Sequence, residues 1–153
     1  VKHRYVGGID ADIDACGFAI WDRQESRWVD ISKLAIEGFY EKLFHVDKSN
    51  VVFYVEAGWK NEKANFRRGR KSAVSETIAM HVGMNHAASK IAARILKKMG
   101  FEVLEVAPLR KGFMKNNNGW TPAGREHFYK LTGIGKKISD DEKDAALLAY
   151  TFR

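Results

Sequence analysis

A single cysteine, Cys16, stands in 153 residues, so the chain has neither an internal disulfide nor a multi-cysteine zinc site. Its expected role is a small buried residue in a reducing compartment. No apolar run approaches the ~20 residues that a membrane-spanning helix requires. No secretory pattern precedes the first strand either, because Val1-Lys2-His3-Arg4 runs directly into it. Internal repeats and low-complexity stretches are absent as well.

With 45% hydrophobic and 12% aromatic residues, the chain is not disordered. Its length suits one compact domain, residues 1–153, burying roughly 68–70% of its unfolded surface. The net charge of +7 is concentrated. Lys60, Lys63, Arg67, Arg68, Arg70 and Lys71 crowd one segment against the lone acid Glu62, while the remainder is close to balance. Trp59, Asn61, Asn65 and Phe66 interleave with these cations, a composition suited to a polyanion. Nucleic acid is favoured over a membrane surface because the segment carries no amphipathic apolar stripe.

Tyr5 to Asp10 reads as a strand, 11–15 as a turn, and Gly17 to Asp22 as the return strand of an antiparallel hairpin. Trp28 to Ile31 reads as a shorter third strand. Ser32 is expected to cap a helix through about His45, with Leu34, Phe39, Leu43 and Phe44 inward. The apolar run Val51 to Val55 before Glu56 fits a central strand covered on both faces. Ser72 to Met99 reads as one long helix, or one interrupted near Gly83, with Ile78, Val82, Ala88, Ile91, Ile95 and Leu96 on its apolar side and Gly100 ending it.

Glu102 to Ala107 is the fifth strand, ended by Pro108. The Gly- and Asn-containing stretch that follows, with Lys111, Lys115 and Asn116 to Gly119, has the composition of a mobile connection. Thr121-Pro122 opens a helix, and a last helix starts at Ser139 with Glu142 completing a capping box. The order β-β-β-α-β-α-β-α-α describes a mixed five-stranded α/β sheet flanked by helices. Right-handed crossovers place the strands ending in Asp10 and Glu56 parallel and, most simply, adjacent. Two carboxylates at the same ends of neighbouring strands, about 4.8 Å apart, could bridge a metal ion where open α/β sheets bind ligands.

The acids differ in how much they demand a function. Asp10 could merely initiate a turn, although Asp12 and Asp14 follow and can fill that role. Glu56, directly after five apolar residues, is a poor turn residue. Asp140, Asp141 and Glu142 lie in the first turn of the last helix, where the helix dipole favours acids regardless of function. Asp144 lies beyond that turn and leads into the apolar run Ala145 to Ala149. Spacing three puts Asp141 and Asp144 on one face; Asp140 at spacing four fits equally. His81 and His86, five apart, do not share a helix face. Gly83 and Asn85 suit close helix packing.

Gly8-Ile9-Asp10, Gly17 seven residues later, Glu56 closing an apolar strand, and Asp141-x-x-Asp144-Ala145 together resemble RuvC-type Holliday-junction resolvases of the RNase H-like superfamily. The resemblance spans nearly the whole chain. It implies a four-carboxylate, two-magnesium endonuclease acting on branched DNA, and its spacing favours Asp141 over Asp140. It also implies an aromatic near the junction centre, which is Trp59 here, and a basic residue after the fifth strand, Lys111 or Lys115. The family's usual Pro-Gly after the first aspartate is replaced by Ala11-Asp12, which adds a charge nearby, and the segment after Trp59 is more basic than the family suggests.

Two divalent ions about 3.5–4 Å apart can activate water and stabilise both the attacking and leaving oxygens of a phosphodiester. Hard carboxylate ligands suit Mg²⁺, with Mn²⁺ substituting. On this view Asp10 bridges, Glu56 and Asp144 flank, and Asp141 is a ligand or orients water; the family implies 5′-phosphate and 3′-hydroxyl products. The basic residues of 60–71 would hold backbone phosphates, with Trp59 and Phe66 stacking on exposed bases. A homodimer is expected, because symmetric resolution needs two sites, as is a cytoplasmic location, nucleoid-associated or in the host cytoplasm of a virus. The alternatives are a ribonuclease H acting on RNA–DNA hybrids and a non-catalytic DNA-binding module of the same fold. A sugar-kinase-like ATPase is disfavoured because residues 11–16 contain no glycine to cradle phosphate.

Overall fold

The computed structural model describes residues 2–60 and 72–153. Strand β1 (Tyr5–Asp10) and β2 (Cys16–Asp22) form an antiparallel hairpin, and β3 (Arg27–Leu34) pairs antiparallel with β2. On the other side of β1, β4 (Val51–Glu56) and β5 (Glu102–Val106) add in parallel, so the order is β3-β2-β1-β4-β5. This is the expected mixed five-stranded sheet. Its register pairs Ile9 with Val55, so Asp10 and Glu56, each one residue further on, leave adjacent strands at the same end.

Alternation of side chains along the strands builds two cores. On one face Ile9, Phe18, Phe53 and Val55 pack with Phe39 of α1 (Phe39–Leu43) and with Ala92 and Leu96 of α2 (Ser72–Lys98). On the other, Val6, Ala19 and Val52 pack with Phe128 of α3 (Pro122–Thr132) and with Ala145, Ala146 and Ala149 of α4 (Asp140–Thr151). Five apolar residues in a row along β4 are thus explained by burial from both sides.

Helix α4 lies unusually close to the sheet because of two glycines. A Cβ on Gly8 would sit 2.1 Å from the Ala145 carbonyl oxygen, and one on Gly17 would sit 2.0 Å from the Asp141 carbonyl oxygen. Any side chain at either position would push α4 outward and carry its acids away. The start of α4 is set by a complete capping box between Ser139 and Glu142. Thr121 caps α3 by accepting a hydrogen bond from the Gly124 amide, with Pro122 in the first turn.

Several expectations need correction. Strand β3 is longer than expected and runs to Leu34, so Ser32 is a strand residue, not a helix cap. The helix foreseen from Ser32 to His45 shrinks to a 3-10 turn at Ile36–Gly38 and the short α1. Hydrogen bonding along β2 wins over the local helix signal there. Phe39 and Leu43 are buried as expected, but Phe44 is half exposed, as is Ile91 on α2 to a lesser degree.

Helix α2 runs without interruption through Gly83 and is ended by Gly100 at φ +98°. The stretch foreseen as a mobile connection contains a 3-10 turn, Gly112–Met114, and a small antiparallel pair, β6 (Lys115–Asn116) with β7 (Gly119–Trp120). Trp120 anchors it in the second core. Cys16 is buried as expected, and burial pushes its thiol up to about 11. Among the described residues no helix is long and apolar enough to cross a membrane.

Candidate active site

Asp10 ends β1 and Glu56 ends β4, while the first two turns of α4 deliver Asp141 and Asp144 to the same end of the sheet. Their charges act on one another across this end of the sheet. Burial pushes the Asp10 carboxyl well above the usual carboxylate range, and Asp144, Glu56 and Asp141 each push it further; Lys111 opposes them. Four acids from three distant segments therefore share one field.

Two lysines answer that field. Lys111 Nζ lies 3.1 Å from Asp144 Oδ1 and 3.5 Å from Glu56 Oε2, with only 10% of its side chain exposed. Lys115 Nζ lies 2.8 Å from Asp144 Oδ2. Burial alone would lower the Lys111 pKa, but Glu56, Asp144 and Asp10 outweigh it and the net shift is upward. The 3-10 turn and the β6–β7 pair are what bring both lysines back to the end of the sheet. The sequence left a choice between them; the fold brings both to Asp144.

The neighbouring acids resolve differently. Asp141, 40% exposed, pairs with Lys33 of β3 at 3.0 Å. Asp140 faces a separate pocket, where Lys143 at 3.0 Å and Arg125 at 3.4 Å hold it. Although partial burial would raise its carboxyl, those two cations keep it below the usual range. Asp12 accepts a hydrogen bond from the Asp14 amide and so takes the turn role.

Among the described residues no group of three or more His, Cys, Asp and Glu side chains is gathered tightly enough to hold a metal ion; the Lys111 ammonium stands among the carboxylates instead. The donor set nonetheless suits a hard divalent cation. It is made of carboxylate oxygens, and Asp144 Oδ1 is buried without a well-directed hydrogen bond, although an ammonium lies within ion-pair distance. A second cation source near Asp10, Glu56 and Asp144 would relieve the repulsion that raises the Asp10 carboxyl.

A cleft of about 200 Å³ opens beside Asp10 and Glu56, and its far wall is α2, with Asn85, His86 and Ser89. Sequence spacing gave no signal for these three, since a histidine in a long helix has no distinguishing neighbour pattern. Trp59, in the 3-10 turn Gly58–Lys60, packs edge-on against His86 at 5.8 Å between ring centroids and carries the Lys90 ammonium 5.0 Å above its ring. It is half-buried at the cleft rim, not a core aromatic. Lys60 donates to the Glu105 carbonyl at the surface. Lys63, Phe66, Arg67, Arg68, Arg70 and Lys71 fall outside the described residues.

No protein-family model matches the chain, and no curated protein sequence does. Solved structures do. T. thermophilus RuvC in complex with Holliday junction substrate matches at a TM-score of 0.56 and 16% identity, covering 97% of this chain and 92% of that one. A second Thermus thermophilus RuvC structure matches at a TM-score of 0.51 and 14% identity, covering 96% and 92%. Over nearly its whole length, the chain has the fold of RuvC, as a divergent example of it.

Proposed function

We propose that the protein is a divalent-metal-dependent endonuclease that cleaves branched DNA, with four-way junctions as its substrate. The observation that carries this reading is the convergence of Asp10, Glu56, Asp141 and Asp144 on one end of the sheet, where Lys33, Lys111 and Lys115 stand against them. The fold shared with a RuvC crystallised on a Holliday junction substrate supports the choice of substrate.

In this reading Asp10, Glu56 and Asp144 hold Mg²⁺, or Mn²⁺ in its place, and Asp141 completes the set or orients a water. Bound metal supplies water activation near neutral pH and charge stabilisation on the attacking and leaving oxygens. The protein's own groups do the rest. Burial and three neighbouring acids raise the Asp10 carboxyl, and a cation held there would oppose that shift. Lys111 and Lys115, beside Asp144, would neutralise the phosphate. Trp59 at the cleft rim offers an aromatic face to a base unstacked at a branch point. Lys60 begins the basic segment, and Lys63, Arg67, Arg68, Arg70 and Lys71 contribute salt-dependent contacts to backbone phosphates.

A homodimer belongs to the same reading, because paired nicks need two sites. Met80, Met84 and Ile91 are exposed on α2, and their spacings of four and seven put them on one side of the helix. That stripe is the proposed seam.

The test compares wild type with Asp10→Asn on a four-way junction, a linear duplex and an RNA–DNA hybrid, with and without Mg²⁺. Metal-dependent nicking of the junction by wild type alone is the expected result. Preference for the hybrid would instead establish the ribonuclease H reading. Equal products from both proteins would remove the carboxylate assignment, and binding without cleavage would indicate a non-catalytic module.

A further inference from the structure

The two walls of the cleft at Asp10 and Glu56 differ in kind. One carries the carboxylates of Asp10 and Glu56, with the Lys111 ammonium 3.5 Å from Glu56 Oε2. The other, from α2, is neutral and polar: Asn85, His86 and Ser89. Ser89 is only 6% exposed, and its hydroxyl is not among the fully buried atoms left without a partner, so what stays open of it faces the cleft. Among the described residues neither Ser89 nor His86 makes a side-chain hydrogen bond to protein, and both line the cleft. Threonines on α3 and α4 show the usual alternative, since Thr132 and Thr151 donate back to the carbonyls of Phe128 and Leu147.

The His86 ring is placed by packing. Trp59 meets it edge-on, and Gly58 leaves the room it needs, because a Cβ there would lie 2.9 Å from His86 Nε2. An imidazole held by shape, with its polar edge unspent, is ready to bind something that enters the cleft.

We infer that Asn85, His86 and Ser89 form a neutral donor wall that grips a phosphodiester group of the nucleic acid opposite the carboxylates. The inference rests on the nuclease reading above and names how the same cleft holds its substrate. Neutral donors are the physically suited choice at this place. A lysine or arginine on α2 would pair with Asp10 and Glu56, as Lys111 pairs with Glu56 and Asp144 on the other side, and binding phosphate would first require breaking that pair. Imidazole N–H, amide N–H₂ and hydroxyl donate to a charged non-bridging oxygen with no ion pair to lose. Hydrogen bonds to a charged acceptor are also the stronger kind.

The test is binding of a fluorescent four-way DNA junction in EDTA, so that the readout needs no metal and no turnover. His86→Leu is expected to weaken binding about tenfold, the scale of one hydrogen bond to a charged group, and Ser89→Ala several-fold. His86→Gln, which retains a donor, should restore most of the loss, and Gly58→Ala, which displaces the ring, should give an intermediate loss. A set of junctions carrying one methylphosphonate at each position around the branch point adds the decisive comparison. One position should weaken wild type and leave His86→Leu unchanged, with equal thermal midpoints for the two proteins. Wild type that binds while His86→Leu binds equally well overturns the wall alone, as does a loss that Gln fails to restore. Wild type that binds neither junction nor duplex overturns the nuclease reading along with it.

Discussion

The ammonium of Lys111 rests 3.1 Å from Asp144 Oδ1, at a site where both side chains are about nine-tenths buried. An ion pair this enclosed costs desolvation on both sides, and removing one partner leaves the other stranded. Together with the 3.5 Å approach to Glu56, it makes Lys111 the internal counter-ion of the acidic cluster.

Lys111→Met should therefore destabilise the metal-free protein by about 3 kcal/mol, in the range for breaking a buried pair. Lys115→Met should cost less, because its side chain is 30% exposed and water can replace it. Chemical denaturation in EDTA checks the ranking. Added Mg²⁺ should recover more stability in Lys111→Met than in wild type.

Asp10→Asn should abolish cleavage and raise the thermal midpoint of the metal-free protein. The folded-state pKa of Asp10 is raised, so its ionised form is disfavoured by folding, and its cost grows as pH rises above the unfolded value. A neutral amide removes that cost. Each 1 kcal/mol recovered is worth about 2–4 °C at this size, and the gain should shrink when the comparison is repeated at acidic pH.

Gly17→Ala should cost about 1–3 kcal/mol by overpacking, since its methyl would fall 2.0 Å from the Asp141 carbonyl oxygen. Cleavage should drop further than stability, because the shift displaces the helix that carries Asp141 and Asp144. Gly83→Ala is the opposite case. Nothing lies within 4 Å of that position in the middle of α2, so the change should stabilise by about 1 kcal/mol. Denaturant midpoints of the two variants separate the effects.

Asp22 links the sheet to the turn that follows it. Its buried carboxylate accepts one bifurcated hydrogen bond from Arg4 Nε, 3.1 Å to Oδ1 and 3.2 Å to Oδ2, one from the terminal guanidinium nitrogen at 2.7 Å, and those of the Gln24 and Glu25 amides. The Arg4 hydrogen bonds, foremost, lower it from 3.8 to about 2. A depressed carboxylate adds stability above its unfolded pKa and loses it as pH falls through the folded value. Acid unfolding should therefore steepen between about pH 4 and 2, and Asp22→Asn should flatten that portion of the curve.

Much of the scaffold was legible from residue pattern. A five-residue apolar run this short fits a doubly covered strand, so β4 and its parallel partner β1 followed, and with them the juxtaposition of Asp10 and Glu56. Ser139 with Glu142 marked the start of α4 because a capping box is a local device that tertiary packing rarely overrides. The segment from Ser32 to Leu34 was not legible, because its strand state depends on β2 being present to accept it. Nor was the order in the 115–120 stretch, whose asparagines and glycine suit a tight two-strand turn as well as a mobile loop, and whose anchor, Trp120, needs α3 to bury it.

For the site itself, residue type and chain position were enough to name the acids, since a carboxylate at the end of a buried element is costly unless something answers it. What answers it was beyond the reach of linear spacing. Asp140 and Asp141 are adjacent in sequence and equivalent by helical period, yet the first turns to Lys143 and Arg125 and the second to Lys33, because the glycines at 8 and 17 set how α4 lies on the sheet. Lys111 and Lys115 reach the carboxylates, and His86 the cleft beside them, from elements far along the chain. Local pattern encodes which elements form and which side they bury; the partners of a buried charge come from packing between them.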